Sequence, residues 1–383
     1  MAPKIAQISV RTHCNHLGGK IWNPAIRWTD KYAVFVSLKD DAGYTGIGEC
    51  WCFDAAPDAL VAYLRTEVIP HFCGATLDDI ADISSTLFEK ATLTARHGIL
   101  ASALAGIDIA AWDLKAKHQD TPIWKSLSDV GTGDALLYAS GGLYGEGKSV
   151  NDLRDEMAGH AKRGFRLSKM KVGAQSIGTD ADRVTAALSV LPADAKLIID
   201  GVYSYSSDDA LRIFDALPQE RIEAFQSPTK AWDYAGMVRL SKAGVPVMAT
   251  EAEYRPELHA KLVEDAHVAF LQIAPIANGG LSGVIDLAGL VADTPTRLSL
   301  EVSSTAVALM AAIHAAAADP KIAHVEYHSI HTVFFEALQL HKNAADQCRF
   351  SPPNRPGLGI SLPNADVSVA FETGSIPFPK DVA

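Results

Sequence analysis

From Ala135 onward the chain alternates between two hydrophobic patterns. Short, nearly continuous apolar runs occupy Ala135–Gly141, Leu167–Val172, Lys196–Asp200, Glu223–Gln226, Pro246–Glu251, Ala269–Ile273, Arg297–Val302 and Ala323–Tyr327. Runs of this length and content read as strands buried on both faces. Between them lie amphipathic stretches with helical spacing, such as Asp180–Leu191, Ser207–Leu217, Trp232–Ala243, Gly283–Ala292 and Ala306–Ala318. Strands that alternate with helices imply parallel pairing through right-handed crossovers. Eight such units predict a closed (β/α)8 barrel, an α/β fold of the TIM type.

The first 125 residues follow another pattern. Residues 5–10 and 31–38 alternate like strands, Gly43 and Gly46 mark turns, and helical spacing runs through Ala59–Val68, Leu77–Leu93 and His97–Ala116. This predicts an α+β capping domain over 1–125 and a barrel over 126–343. The Pro- and Gly-rich remainder, 344–383, holds a short strand around Asp366–Phe371 and is expected to pack back on the cap.

Barrel chemistry sits at the C-terminal strand ends. In order these carry Lys169 and Lys171 (second strand), Asp200 (third), Gln226 (fourth), Glu251 (fifth), Ala274 (sixth), Glu301 (seventh) and Glu326 (eighth). Lys169 and Lys171 alternate onto one strand face, so their ammonium groups emerge side by side. Mutual repulsion and partial burial are expected to lower both pKa values, which would make one lysine a general base near neutral pH. Lys171, nearer the strand end, takes that part, and Lys169 is its electrostatic partner. Asp200, Gln226 and Glu251 lie on three consecutive strands, close enough for their oxygens to meet on one hard cation such as Mg2+.

Further motifs point the same way. Ala105-Gly106-Ile107-Asp108-Ile109-Ala110-Ala111-Trp112-Asp113-Leu114-Lys115, Thr121-Pro122-Ile123-Trp124, Lys169-Met170-Lys171-Val172-Gly173, Ile199-Asp200, Thr250-Glu251 and Asn278-Gly279-Gly280 together resemble the enolase superfamily, in its mandelate racemase and muconate lactonizing branch. The resemblance covers nearly the whole chain. It implies metal-assisted removal of a proton α to a carboxylate, a small carboxylate substrate and a homo-oligomer. It also implies an N-terminal loop over the barrel mouth, which here holds His16, Trp22 and Arg27; Arg27 is a candidate carboxylate clamp.

Departures from the pattern shape the expected chemistry. The second metal ligand is a glutamate in the family, whereas this chain has Gln226 in Phe225-Gln226-Ser227-Pro228, so carboxylate charge falls from three to two and Mg2+ binding should weaken. Ala274 replaces the sixth-strand base or its aspartate, and Glu301 stands where the family has a histidine. With no second base on the usual strand, the first expectation is dehydration of a hydroxy acid or sugar acid, with Glu301 or a loop histidine as acid. The alternatives are a racemase or epimerase with Glu301 as second base, or a retired barrel that only binds a carboxylate.

Other candidates carry both functional and structural readings. Tyr203 and Tyr205 either line the pocket or pack. Glu326, His328 and His331, at and beyond the eighth strand, either face substrate or, for the histidines, sit in a solvated loop. His314, on an apolar helix, reads as structural.

Bulk properties narrow the partners. A net charge of −11 over 383 residues disfavours nucleic acid. The apolar run Thr305–Ala318 is too short to span a bilayer. MAPKIAQISV reads as a strand rather than an export signal, and five cysteines read as free thiols, so a reducing cytoplasm is expected. Cys50-Trp51-Cys52 lacks a second ligand pair and reads as packing.

Overall fold

The computed structural model describes residues 3–52, 56–91, 98–251, 253–328, 330, 348–362 and 372–373. Eight parallel strands form the barrel: β4 (Ala135–Ser140), β6 (Leu167–Lys171), β7 (Lys196–Asp200), β8 (Ile222–Gln226), β9 (Val247–Ala249), β10 (Phe270–Ile273), β11 (Arg297–Leu300) and β12 (Ile322–His328). Each strand pairs with the next, and β12 closes the ring against β4, with Glu326 opposite Tyr138 and His328 opposite Ser140.

Alternation decides which residues face inward. Tyr138, Leu167, Ile198, Ala224, Met248 and Phe270 fill the base of the barrel interior. One step further along the strands come Lys169, Asp200, Gln226, Gln272, Ser299 and Glu326, all buried. Met170, Ile199, Phe225, Leu271, Leu300 and Val325 point outward and join the larger apolar cluster under the helices.

The cap is an antiparallel sheet of β1 (Ile5–Trp22), β2 (Arg27–Asp40) and β3 (Thr45–Cys50) packed on the helix Ile99–His118. Here the structure departs from the expected N-terminal loop. β1 and β2 are one long hairpin, and His16, Trp22 and Arg27 all lie on its strands. Cross-strand pairing runs to His16–Asp30, is interrupted, and resumes at Ile21–Trp28. Gly18 and Gly19, with φ of 70° and 69°, absorb the interruption. The short β5 (Tyr144–Gly145) pairs with Ile21 and Trp22, which stitches the hairpin end to the first barrel loop.

Two glycines permit the cap's tightest contact. A Cβ on Gly48 would lie 2.0 Å from the Gly106 carbonyl oxygen, and one on Gly106 would lie 2.2 Å from Cys50 Sγ. The motif helix therefore rests directly on β3. All five cysteines are free thiols.

The tail is divided between both units rather than returning wholly to the cap. β13 (Arg349–Phe350) pairs antiparallel with the first barrel strand, β4. Leu358 N donates to Asp113 Oδ1 on the cap helix (2.7 Å), and β14 (Glu372–Thr373) runs along β1. The expected strand at 366–371 and residue His331 lie outside the described residues. Among the described residues no helix is long and apolar enough to cross a membrane.

Glu49, at the end of β3, ties the cap to the barrel. Its carboxylate accepts from Ser304 Oγ, from Thr305 Oγ1 (2.6 Å) and from Ala308 N (3.0 Å) at the start of the helix Ala306–Ala318. Burial pushes its pKa up, while these hydrogen bonds oppose the shift. A helix N-terminus is a favourable place for an acidic group. Glu49→Ala leaves several buried donors without a partner. It should cost about 3 kcal/mol of stability, read as a lower denaturant midpoint with the far-ultraviolet spectrum retained.

Candidate active site

The strand ends gather a buried ionic cluster. Lys169 Nζ lies 2.6 Å from Glu326 Oε1, 3.0 Å from Gln226 Oε1 and 3.6 Å from Asp200 Oδ2. Lys171 Nζ donates to Asp200 Oδ2 at 2.5 Å. Glu251 accepts from Ser227 Oγ (2.8 Å), and the Tyr203 and Thr250 hydroxyls meet at 2.8 Å beside it. Glu326 Oε2 accepts from Val302 N at 3.0 Å, which fixes the backbone that follows Glu301. Lys169, Lys171, Asp200, Gln226, Glu251, Glu301, Glu326 and His328 are thus brought to one mouth.

At Lys169 the electrostatics differ from the expected depression. Burial alone would lower the Lys169 ammonium, but Glu326, Tyr138, Asp200 and Glu301 outweigh it and raise its pKa well above the ordinary lysine value. The counterpart effect appears on Glu326. Burial opposes its ionisation, yet Lys169 and Lys171 pull its carboxyl down to about 2. Opposite charges at contact distance simply exceed the repulsion between two lysines. Glu301 goes the other way: burial first, then the neighbouring Glu251 and Glu326, raise it well above the usual carboxylate range. Glu251 is raised by burial and by Asp200. His328 is held neutral by burial and by Lys171, Lys169 and Lys31. The Ile330 N–H faces His328 Nδ1 at 3.4 Å.

Strained turns aim the third- and fourth-strand groups. Val202, Tyr203 and Ser227 have φ of 43°, 59° and 43°, a region that branched and bulky residues normally avoid. Gly201 N donates to Gln226 O, and Tyr203 N donates to Ser227 O at 2.8 Å, so the two turns lock together. Such strain persists where its surroundings over-determine it, and it concentrates at functional sites.

Several sequence candidates lie elsewhere. Arg27 stacks over the Trp22 ring at 4.1 Å and donates to Gly19 O. Among the described residues its contacts lie within the hairpin rather than at the cluster. Trp22 stacks near Tyr144 and walls a separate cavity of about 330 Å³ with Tyr144, Gln175 and Arg183. Tyr205 packs edge-on against Phe225. His314 is buried between Trp124 N and Leu358 O, the structural role expected of it. Ala274 ends the sixth strand with its N–H bonded to Asn278 Oδ1.

One cap residue was missed. Lys31 is buried, and its Nζ donates to Ser303 Oγ at 3.1 Å, at the rim beside His328. Residues 31, 33 and 35 share one face of β2. Phe35 packs on the barrel cluster, whereas Val34, Val36 and Leu38 pack in the cap. A lysine in phase with Ala33 and Phe35 was the available signal.

The donor set suits a hard divalent cation. Asp200, Gln226 and Glu251 offer only oxygen, as Mg2+ prefers. The Asp200 and Glu251 carboxylates repel each other, and Glu301 Oε2 is buried with no hydrogen-bond partner among the described residues. A cation would relieve that excess of negative charge.

An eight-stranded barrel, a β-hairpin cap and a lysine–carboxylate mouth define a capped barrel enzyme fold. Two family models match the chain. The mandelate racemase/muconate lactonizing enzyme N-terminal domain covers residues 27–127, and the enolase C-terminal domain-like model covers residues 152–367. The chain belongs to this family.

Among characterised relatives it is 26% identical over 335 residues to arabinonate dehydratase of Saccharolobus solfataricus, covering 86% of this chain and 88% of that one. It is 27% identical over 378 residues to D-galactarolactone cycloisomerase of Agrobacterium fabrum, covering 95% and 98%. A racemase from Streptomyces coelicolor A3(2) with bound magnesium superposes with a TM-score of 0.82 at 23% identity, covering 94% of this chain and 97% of that chain. The superposition supports the fold.

Breaking the Lys169–Glu326 pair should be costly. Glu326→Gln leaves a buried ammonium short of its partner and should destabilise the protein by about 3 kcal/mol or more. The sign with pH follows from the lowered carboxyl. Its stabilisation is present above the unfolded value of 4.5 and fades as pH falls towards about 2. Urea midpoints between pH 5 and pH 3 should fall less steeply in Glu326→Gln than in the wild type.

Proposed function

We propose that this protein dehydrates a hydroxy acid or sugar acid, with Lys171 removing the proton α to the carboxylate. The observation that carries this reading is the meeting of Lys171 and Glu301 at one mouth, from the second and seventh strand ends, with burial raising the Glu301 carboxyl. Lys171 stands at the end of β6, and Glu301 stands across the mouth on the seventh-strand end. A protonated Glu301 is suited to give a proton to a departing β-hydroxyl and poorly suited to act as a second base. Elimination then moves the α-proton to Lys171, forms a carbon–carbon double bond and releases the hydroxyl as water with the Glu301 proton. His328, kept neutral by burial and by Lys171, Lys169 and Lys31, lies at the same mouth.

Asp200, Gln226 and Glu251 would hold Mg2+, which supplies positive charge against the substrate carboxylate when bound. Lys169 stays charged and adds to that field. Lys31 takes the place first assigned to Arg27, as a cation at the rim able to pair with an anionic or hydroxylated end of the substrate. Tyr203 borders the metal side of the pocket. Sugar-acid dehydratases among the relatives support this reading, and cycloisomerases stand at similar identity. The choice between dehydration and epimerisation rests on Glu301 and Ala274. An epimerase would need a base opposite Lys171, and Ala274 is not one. The retained lysines and carboxylates argue against a barrel that only binds.

We further propose a homo-oligomer in the cytoplasm, and a cap of 1–125, completed by the end of the tail, over a barrel of 126–343. The β14–β1 pairing supports assigning the end of the tail to the cap.

Screening acid sugars in deuterated water tests the base. Lys171→Ala should abolish turnover and α-deuterium exchange, a loss of about 10²–10⁴-fold or more. Lys171→Arg should fail nearly as badly, since a guanidinium stays protonated. Exchange near the wild-type rate in Lys171→Ala would remove Lys171 as the base. A second measurement concerns the metal. Because Gln226 carries no charge, Gln226→Glu should tighten Mg2+ binding in calorimetry. Unchanged or weaker binding would exclude Gln226 as a ligand.

A further inference from the structure

The hairpin face that packs in the cap continues, beyond the cap core, into three metal-ligating atoms away from the barrel mouth. Cys14 and His16 alternate onto one face of β1, and Asp30 sits directly across from His16 on β2. Cys14 Sγ lies 3.9 Å from His16 Nδ1 and 3.9 Å from Asp30 Oδ1, and His16 Nδ1 lies 2.5 Å from Asp30 Oδ1. Tyr32, opposite Cys14, sets its hydroxyl against the thiol. His16 is 82% exposed, so solvent reaches the cluster. These residues take no part in the chemistry proposed above, because Lys31, between Asp30 and Tyr32, points to the other face.

We propose that Cys14, His16 and Asp30 form a binding site for a borderline transition-metal ion, zinc by chemical preference, with solvent in the fourth position. The geometry carries the inference. With Zn–S of about 2.3 Å and Zn–N and Zn–O of about 2.0–2.1 Å, a tetrahedron places its ligand atoms about 3.3–3.6 Å apart. The two sulfur edges need to close by about 0.3 Å and the His16–Asp30 edge to open by about 0.8 Å to match those lengths. Side-chain rotation on an exposed strand supplies both. The backbone is already in register, since all three residues lie in the continuous pairing that ends at His16–Asp30. A thiolate, an imidazole and one carboxylate select against Mg2+, which the oxygen-only barrel site prefers. An ion here would cross-link β1 to β2 one residue from Lys31 and so stiffen the strand that carries that cation to the mouth.

The test uses the full chain, stripped of metal by chelation and titrated with cobalt(II) as a spectroscopic stand-in for zinc. The expected result is a sulfur-to-cobalt charge-transfer band that saturates at one equivalent, survives excess Mg2+ and is displaced by zinc(II). Cys14→Ser should abolish the band, and His16→Gln should weaken binding by about 10-fold or more. Both positions are surface-accessible and outside the core, so the variants should keep the wild-type circular dichroism spectrum. A band that persists in Cys14→Ser would assign the ion to another thiol such as Cys73 and overturn the site. Cobalt binding without the band, lost on adding Mg2+, would place the ion on the barrel carboxylates alone and overturn it equally. The readout is independent of any substrate, so its failure leaves the dehydratase reading standing, and the converse holds.

Discussion

The contact between Lys169 and Glu326 spans the mouth of the barrel, from the second strand to the eighth, with the first strand between them. Placing one charge there without the other would leave an ion in the low-dielectric interior at a cost of several kcal/mol. Because the pair is buried together, the interior above the apolar floor can be polar. That permits Gln226 to turn its oxygen inward and Asp200 to hold Lys171. Within the pair Glu326 stays ionised and Lys169 stays charged, while burial, Glu251 and Glu326 together raise the Glu301 carboxyl.

Closure of the barrel is the condition for that contact, and docking of the cap is the condition for enclosing it. The cap is held by specific polar links over close backbone approach. Glu49 engages the N-terminus of the helix that follows the seventh strand. Asp108, on the motif helix, holds Ser282 through its N–H at 3.0 Å and through its hydroxyl, beyond Gly279-Gly280. Burial pushes the Asp108 carboxyl up to about 6. Asp113 accepts from Ile47 N and Leu358 N and so binds sheet, helix and tail at one point. Motif residues that look catalytic by their acidity are in fact joints between layers.

The eight strands were legible because their signal is local. A strand buried on both faces is apolar over consecutive residues, and a helix laid over it is apolar at every third or fourth. Strand-end positions follow from that segmentation, which is why Lys169, Lys171, Asp200, Gln226, Glu251, Glu301 and Glu326 could be named together. The hairpin was less legible. Polar residues between 11 and 30 lack the alternation of a half-buried strand, since much of that ribbon is partly exposed on both faces, and so it read as a loop. Arg27 and Trp22 were misplaced for that reason.

What the chain determined by itself is the order of elements and the chemical types at the strand ends, both consequences of periodicity and side-chain identity. What only the tertiary structure decided is which charges meet. Lys31 reaches Ser303 across 272 residues of sequence, and Lys169 chooses Glu326 over repulsion from Lys171. Such pairings depend on distances of a few ångströms between segments remote in the chain. Coulomb energies in a buried site change steeply over those distances, so the charge on Lys169 and the raised carboxyl of Glu301 follow from barrel closure rather than from the Lys-x-Lys spacing.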